Sequence, residues 1–252
     1  MLQVKPIVFT TLALVLPYVS YAASLNPASE GYVQAQIASV MSYLQTQVSA
    51  LTVVPTYTVG QQALGGQVFY VDSSGMHGLV AAISPTGLGT GQYWDGGISA
   101  ATGGNNIITN ATGDGIGAGA INSSLMLSVQ SGYFAYLSSP ITDPQTPAMA
   151  SMPAQVCVGF SVQADGQMSC NSNSTSASCY ADWYVPSIYE LNLMYLQKTE
   201  LNYPIVIDQD AFIWSSTELN QNEAYRINFT DIVGPAPALK SSDGGVWCIR
   251  EF

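Results

Sequence analysis

The apolar pattern changes character at Val54-Pro55, and proline there forbids one regular helix from running through. Before that point, from Asn26 to Leu51, Val33, Ile37, Val40, Leu44, Gln47 and Leu51 fall at alternating spacings of four and three. That is heptad spacing, and it predicts one long N-terminal amphipathic helix. Its flanks are Gln, Ser and Thr, without the Glu/Lys pairs that choose partners in coiled coils. Such a helix either packs on its own domain or serves as a self-associating stem. After that point the chain turns to short alternating segments punctuated by glycine. The expected organisation is therefore a leader at 1–22, a helical stem at 23–55 and a globular domain at 56–252.

Within the globular part, Gly66 to Asp72 and Gly78 to Ile83 alternate around Ser73-Ser74-Gly75, which predicts a hairpin. Asn122 to Leu137 reads as a helix with Asn122 as its N-cap. Val156 to Gln163 reads as a strand, and Ser138 to Pro153 as a proline-rich connection. The clearest local signal is Ser187-Ile188-Tyr189-Glu190, a capping box opening a helix with an apolar stripe at Ile188, Leu191 and Tyr195. Strands are expected at Ala211 to Ser215, Ala224 to Phe229 and Gly245 to Phe252, with Val233 to Gly244 as a loop. Short helices followed by late strands predict an α+β domain rather than a βαβ repeat.

Three features bear on location. Met1 to Ala22 has the form of a secretory signal: Lys5, an apolar stretch from Pro6 to Val19, and Ser20-Tyr21-Ala22 before the expected cut. Behind it the four cysteines, Cys157, Cys170, Cys179 and Cys248, form an even set. This predicts two disulfides, with Cys170 to Cys179 favoured because they bracket a polar loop, leaving Cys157 for Cys248. Free buried thiols are the alternative. Charged residues make up 8% of the chain, and five basic residues face sixteen acidic ones for a net charge of −11. Nucleic acid is thereby excluded as a partner, since Lys and Arg supply that affinity. No apolar run beyond the leader reaches membrane-spanning length, so the mature chain is expected to be secreted or held at the cell surface without a helix in the bilayer.

Five blocks of residues together resemble one family. They are Tyr57 to Gly60 with Gly65 to Asp72 and Gly75 to Ala82; Asp114 to Asn122; Asp182 to Ser187 with Glu190 to Tyr195; Trp214 to Glu218; and Val246 to Phe252. In this order they resemble the C-terminal domain family of the Legionella collagen-like adhesin, over roughly Thr56 to Phe252. The resemblance implies a bacterial surface or extracellular binding domain, and a fold akin to C-type lectins and sulfatase-modifying factors. Some family members are implied to recognise glycosaminoglycans, but the acidic balance here makes polyanions poor ligands. No collagen repeat is present, and the heptad-like helix stands in its place. By analogy with a trimeric collagen stem, the helix is expected to assemble a homotrimer. The lectin tripeptides Glu-Pro-Asn and Gln-Pro-Asp are absent, so calcium-dependent sugar binding is not carried over.

Individual residues sort into ligand candidates and structural ones. Trp94, beside Asp95-Gly96-Gly97, is the tryptophan expected at the surface, where it could stack on a sugar; Trp183, Trp214 and Trp247 are expected in the core. Asp208 and Asp210 could supply part of a Ca²⁺ site, against the alternative of a solvated turn. No other cofactor or metal is expected. His77, the single histidine, is expected to be a hydrogen-bonded turn residue. The glycine run Gly113, Gly115, Gly117 and Gly119 lacks the lysine of a phosphate loop and is expected to serve backbone packing. Ser187 and Glu190 build the cap. Arg250, in the last apolar strand, needs a carboxylate, and Glu190 or Glu218 could provide it. The functional expectation is a non-enzymatic, adhesin-like binding domain for carbohydrate or another surface ligand. The alternatives are an enzyme of the sulfatase-modifying-factor type, which needs a reactive cysteine, and a structural surface component without ligand.

Overall fold

The computed structural model describes residues 27–51, 56–86, 92–98, 107–137, 152–170, 178–199, 212–230 and 234–252. The expected leader and the Asp208/Asp210 pair lie outside them. The chain divides between Pro55 and Thr56 into two units. The first contributes one described element, helix α1 (Pro27–Leu51), unbroken for 25 residues.

The second unit mixes helices with antiparallel sheets. It opens with β1 (Gln62–Ala63), β2 (Gly66–Val71) and β3 (Gly78–Ala81). The β2–β3 hairpin forms where the alternation predicted it, with Val71 opposite Gly78 and Val68 opposite Val80. Helices α2 (Ala118–Leu137) and α3 (Pro153–Gly159) follow, then the short pair β4 (Val162–Gln163) and β5 (Cys179–Tyr180). Helix α4 (Ile188–Leu196) precedes the sheet of β6 (Phe212–Glu218), β7 (Glu223–Asn228) and β8 (Ala236–Leu239). The last strand, β9 (Ile249–Glu251), returns to the opening hairpin and pairs with β3, placing Arg250 opposite Val80. The two ends of the unit therefore meet: Tyr57 packs edge-on against Phe252 at 4.7 Å between ring centres.

One large core cluster joins these sheets and helices, and a smaller second cluster gathers Ile98, Phe134 and Met152. Phe69, Leu79 and Val80 from the hairpin meet Leu191 and Met194 of α4, Ile213 and Trp214 of β6, and Trp247 and Ile249 near the end of the chain. Trp183, Trp214 and Trp247 are all buried, as their apolar context implied.

Four local expectations are corrected. Helix α2 begins at Ala118, four residues before Asn122, which therefore sits inside the helix and caps nothing. Its buried amide instead holds the Gly113 backbone, accepting from its N–H and donating to its carbonyl. The Val156 to Gln163 segment is not a strand: Pro153 has its φ preset for the first turn of a helix, and α3 occupies 153–159 before the two residues of β4. The Val233 to Gly244 segment contains β8, whose Pro237 sits opposite Tyr225. Proline is tolerated there because β8 is an edge strand needing donors on one side only. Finally, β6 runs on through Glu218, and the pairing of the last segment is confined to Ile249–Glu251.

Both disulfides expected from the sequence are formed, Cys157–Cys248 and Cys170–Cys179, and no cysteine is free. The first ties α3 to the residue before β9 across 91 positions, and the second joins cysteines nine positions apart. Such bonds belong to oxidising compartments. Among the described residues no helix is long and apolar enough to cross a membrane. Thiol titration of the unfolded, unreduced chain should find no free sulfhydryl. The long loop contributes about 4–5 kcal/mol and the short one about 3 kcal/mol in the chain-entropy treatment. Replacing Cys157 and Cys248 by Ala should therefore lower the urea-unfolding free energy more than replacing Cys170 and Cys179; the reverse order would contradict this assignment.

Candidate functional site

The glycine run and the capping box meet at one carboxylate. At the start of α4, Ser187 Oγ accepts from the Glu190 N–H at 3.2 Å, and Glu190 Oε2 accepts from the Ser187 N–H at 2.7 Å, the reciprocal box that the sequence predicted. The same carboxylate reaches a second helix. Its Oε1 accepts from Gly117 N–H at 2.9 Å and its Oε2 from Gly119 N–H at 3.2 Å, in the first turn of α2. Helix α2 has no acidic residue in that turn, so Glu190 supplies the negative charge that its exposed N–H groups favour. The glycines are required by geometry. A Cβ on Gly119 would strike Glu190 Oε2, and Gly117 has φ +82°, a left-handed conformation other residues avoid.

Polar contacts lock this joint on every side. Ser187 Oγ donates to the Gly115 carbonyl at 2.9 Å, and Asp114 Oδ1 accepts from Tyr189 N–H at 3.0 Å. Thr217 Oγ1 accepts from Ile188 N–H and donates to the Gly113 carbonyl, bringing in β6. Tyr184 donates its hydroxyl to Glu190 Oε1 at 3.1 Å. Burial pushes the Glu190 carboxyl above its ordinary value against those hydrogen bonds. Burial and the nearby carboxylates of Glu190 and Glu251 push the Tyr184 hydroxyl far up. The glycine run thus packs backbone, as expected, around an anion that the chain itself provides.

The rim of the joint faces water. Tyr189, in the first turn of α4, and Ile116, between the tethered glycines, are 46% and 47% exposed. Asp114 and Glu251 are also exposed, and Glu251 Oε1 lies 3.1 Å from the position a Gly117 side chain would take. An exposed tyrosine, an exposed isoleucine and two exposed carboxylates therefore border this joint. Sequence reasoning assigned Ser187 and Glu190 correctly but missed Tyr189; its place beside Glu190, on the outward side of a capped first turn, was the available signal.

The other candidates go elsewhere. Trp94 is not a surface residue: its ring is fully buried, with the indole N–H donating to the Ser215 carbonyl at 2.8 Å. Its backbone N–H bonds the Lys240 carbonyl, which lays the 92–98 segment inward. Asp95 is buried with it and accepts from Gly97 N–H, so neither can meet a ligand. His77 is exposed in its turn, its carbonyl accepting from Asp72 N–H at 2.8 Å.

Arg250 pairs with neither Glu190 nor Glu218. Its guanidinium forms a two-pronged bond to Asp182, at 2.6 and 2.9 Å, and lies 4.6 Å from the Tyr180 ring centre. The Tyr184–Ile249 bridge sets this register, bringing Asp182 alongside Arg250. Arg250 holds the Asp182 carboxyl below its ordinary value. Glu218 instead accepts from buried Lys240 at 2.5 Å and from the N–H groups of Thr109 and Asn110. Lys240 donates also to the Ile107 carbonyl and sits 4.7 Å from the Trp94 ring centre; burial pushes its ammonium down from the ordinary value. Among the described residues no group of three or more His, Cys, Asp or Glu gathers to hold a metal ion. No protein-family model matches this chain, and no curated protein sequence matches it.

Two outcomes follow from the buried charges. Glu190→Gln turns an N–H₂ group towards backbone donors and should cost roughly 1–3 kcal/mol in urea unfolding at neutral pH. Because folding raises this pKa, the folded chain binds the proton more tightly, and the contribution weakens as pH rises through the folded value. The gap between parent and variant should be widest below the ordinary carboxyl value of 4.5 and narrow above it. Lys240→Met alone strands the Glu218 carboxylate and should cost about 3–5 kcal/mol. Adding Glu218→Gln should recover part of that loss, measured as a coupling in a double-mutant cycle.

Proposed function

We propose that this chain is an exported bacterial binding protein with an adhesin-like role, whose 56–252 unit recognises carbohydrate or another surface ligand. The observation that carries the reading is exposed Tyr189, whose backbone N–H bonds Asp114, on a locked joint that also carries the exposed Glu251 carboxylate. A tyrosine ring offers an apolar face for the C–H side of a sugar. Flanking carboxylates accept hydrogen bonds from hydroxyls. The joint is already ordered by its internal bonds, so a ligand meets little of the ordering cost that weakens binding by mobile loops.

Two further observations support the reading. The five blocks that resemble the adhesin family meet in this one region, the hairpin through β9 and the rest through the joint itself. The competing enzyme reading needs a reactive thiol, and all four cysteines are held in disulfides.

A glycan array probed with the purified chain, with and without Ca²⁺, tests the proposal. Binding is expected to neutral or cationic glycans and not to heparin. Tyr189→Ala should weaken it at least tenfold without altering thermal unfolding, while Met76→Ala, another exposed position, should leave it unchanged. Absence of binding across the array, or undiminished binding by Tyr189→Ala, would overturn the assignment. A Ca²⁺ requirement would move attention to Asp208 and Asp210.

A further inference from the structure

The chain contains four Asp-Gly peptide bonds, at Asp95-Gly96, Asp114-Gly115, Asp165-Gly166 and Asp243-Gly244, and no Asn-Gly bond. Asp-Gly is open to one spontaneous reaction, because a glycine nitrogen has no Cβ beside it to hinder approach. That nitrogen can close on the carboxyl carbon of the aspartate before it and make a five-membered imide. All four bonds lie among the described residues. They differ in where each glycine N–H points.

At three of them the amide is committed to a distant backbone carbonyl. Gly96 N–H donates to the Tyr93 carbonyl at 2.9 Å, Gly166 N–H to the Gln163 carbonyl at 2.9 Å, and Gly244 N–H to the Gln92 carbonyl at 3.1 Å. Asp95 is also buried, and the Asp165 carboxylate accepts from the N–H groups of Gln167 and Met168. At the fourth bond the Gly115 N–H meets the Asp114 carboxylate itself, 2.9 Å from Oδ1. Asp114 is exposed to water, and the position that a Gly115 side chain would take is open space. The same Oδ1 accepts from Tyr189 N–H at 3.0 Å. A donor placed there steadies the charge that gathers on a carboxyl oxygen when its carbon is attacked.

We propose that Asp114-Gly115 is a self-modifying bond, at which the folded chain converts aspartate to isoaspartate without an enzyme. The Gly115 nitrogen bonds to Asp114 Cγ and gives up its proton. The bond from Cγ to Oδ2 breaks, and Oδ2 leaves as water, carrying that proton and the one on the protonated carboxyl. Water then opens the imide. Addition at Cγ restores aspartate. Addition at the Asp114 carbonyl carbon leaves the backbone running through Cβ and Cγ, one carbon longer, with the old carbonyl carbon as the free carboxylate. One water leaves and one returns, so the product keeps the mass and charge of the parent. The added carbon enters next to Gly115, whose carbonyl Ser187 Oγ holds, and ahead of the Gly117 N–H that Glu190 accepts. Conversion therefore loosens the joint between α2 and α4. None of this depends on what the 56–252 unit binds.

Ageing the purified chain warm for several weeks, in a mildly acidic buffer that keeps a share of carboxyls protonated, tests the assignment. Peptide mapping by electron-transfer fragmentation tells isoaspartate from aspartate. Isoaspartate at residue 114 should exceed that at residues 95, 165 and 243 at least tenfold. Its appearing evenly at the four, foremost at another of them, or at none overturns the proposal. Asp114→Glu keeps a carboxylate but would need a six-membered ring, so the 114–115 peptide of that variant should stay unmodified; an equal yield of isomer there overturns the ring closure. The preference for residue 114 should vanish when the reduced chain is aged in guanidinium chloride. If it persists, the fold does not select this bond and the proposal fails.

Discussion

One carboxylate with four donors holds the globular unit in its shape. Glu190 receives N–H groups from the first turns of two different helices and a hydroxyl from the segment leading to one of them. Each helix start leaves backbone donors without partners, and each presents the positive end of its dipole. Satisfying both with one buried anion fixes the angle and distance between α2 and α4, which then fixes where β6 can lie through Thr217 and Ser216. A capping box normally serves one helix; here the same two oxygens serve a second, which is why a run of glycines must precede α2.

The remaining buried charges follow a related logic. Each cation buried in the core region has its own carboxylate, and each pair joins segments distant in sequence: Lys240 with Glu218, Arg250 with Asp182. The buried Lys240–Glu218 pair is not an isolated ion couple, whereas the Asp182 carboxylate of the other pair faces water. Glu218 also takes two backbone N–H groups, and Lys240 also donates to a backbone carbonyl. That surplus of hydrogen bonds offsets the desolvation that makes a bare buried pair unfavourable. The two pairs specify which strand end lies beside which loop, a role that apolar contact alone fills less selectively.

Legibility in the sequence followed the range of the interaction. The hairpin, the capping box and its apolar stripe were readable because alternation and a three-residue reciprocal bond are local. The disulfide partners were readable because a loop of eight residues between Cys170 and Cys179 leaves one natural closure. The start of α2 was not, because its stabilising acid comes from 71 residues away at Gly119 rather than from its own first turn. Trp94 was misplaced for the same reason: the glycines after it suggested a surface turn, while the contact that buries it is with Ser215 and Lys240. Arg250 was known to need a carboxylate, but choosing Asp182 required the strand register set by the Tyr184–Ile249 bridge. The rim residue Tyr189 was legible only indirectly, as the position beside Glu190 that falls off the Ile188, Leu191 and Tyr195 stripe, since its exposure depends on which side of α4 the core occupies.

The scarcity of cations bears on how the folded chain resists proteolysis. Proteases that cut after lysine or arginine have four targets beyond residue 22: Lys198, Arg226, Lys240 and Arg250. Lys240 and Arg250 are buried, Arg226 is part of a strand with its guanidinium over the Phe212 ring, and Lys198 bonds the Phe229 carbonyl. A cleaving enzyme must draw an extended stretch of backbone into its cleft, which at Arg226, Lys240 and Arg250 means first parting a sheet or unseating an ion pair. The folding of the last strands thus doubles as a shield against trypsin-like digestion at those three sites, while Lys198 stands in a turn after α4.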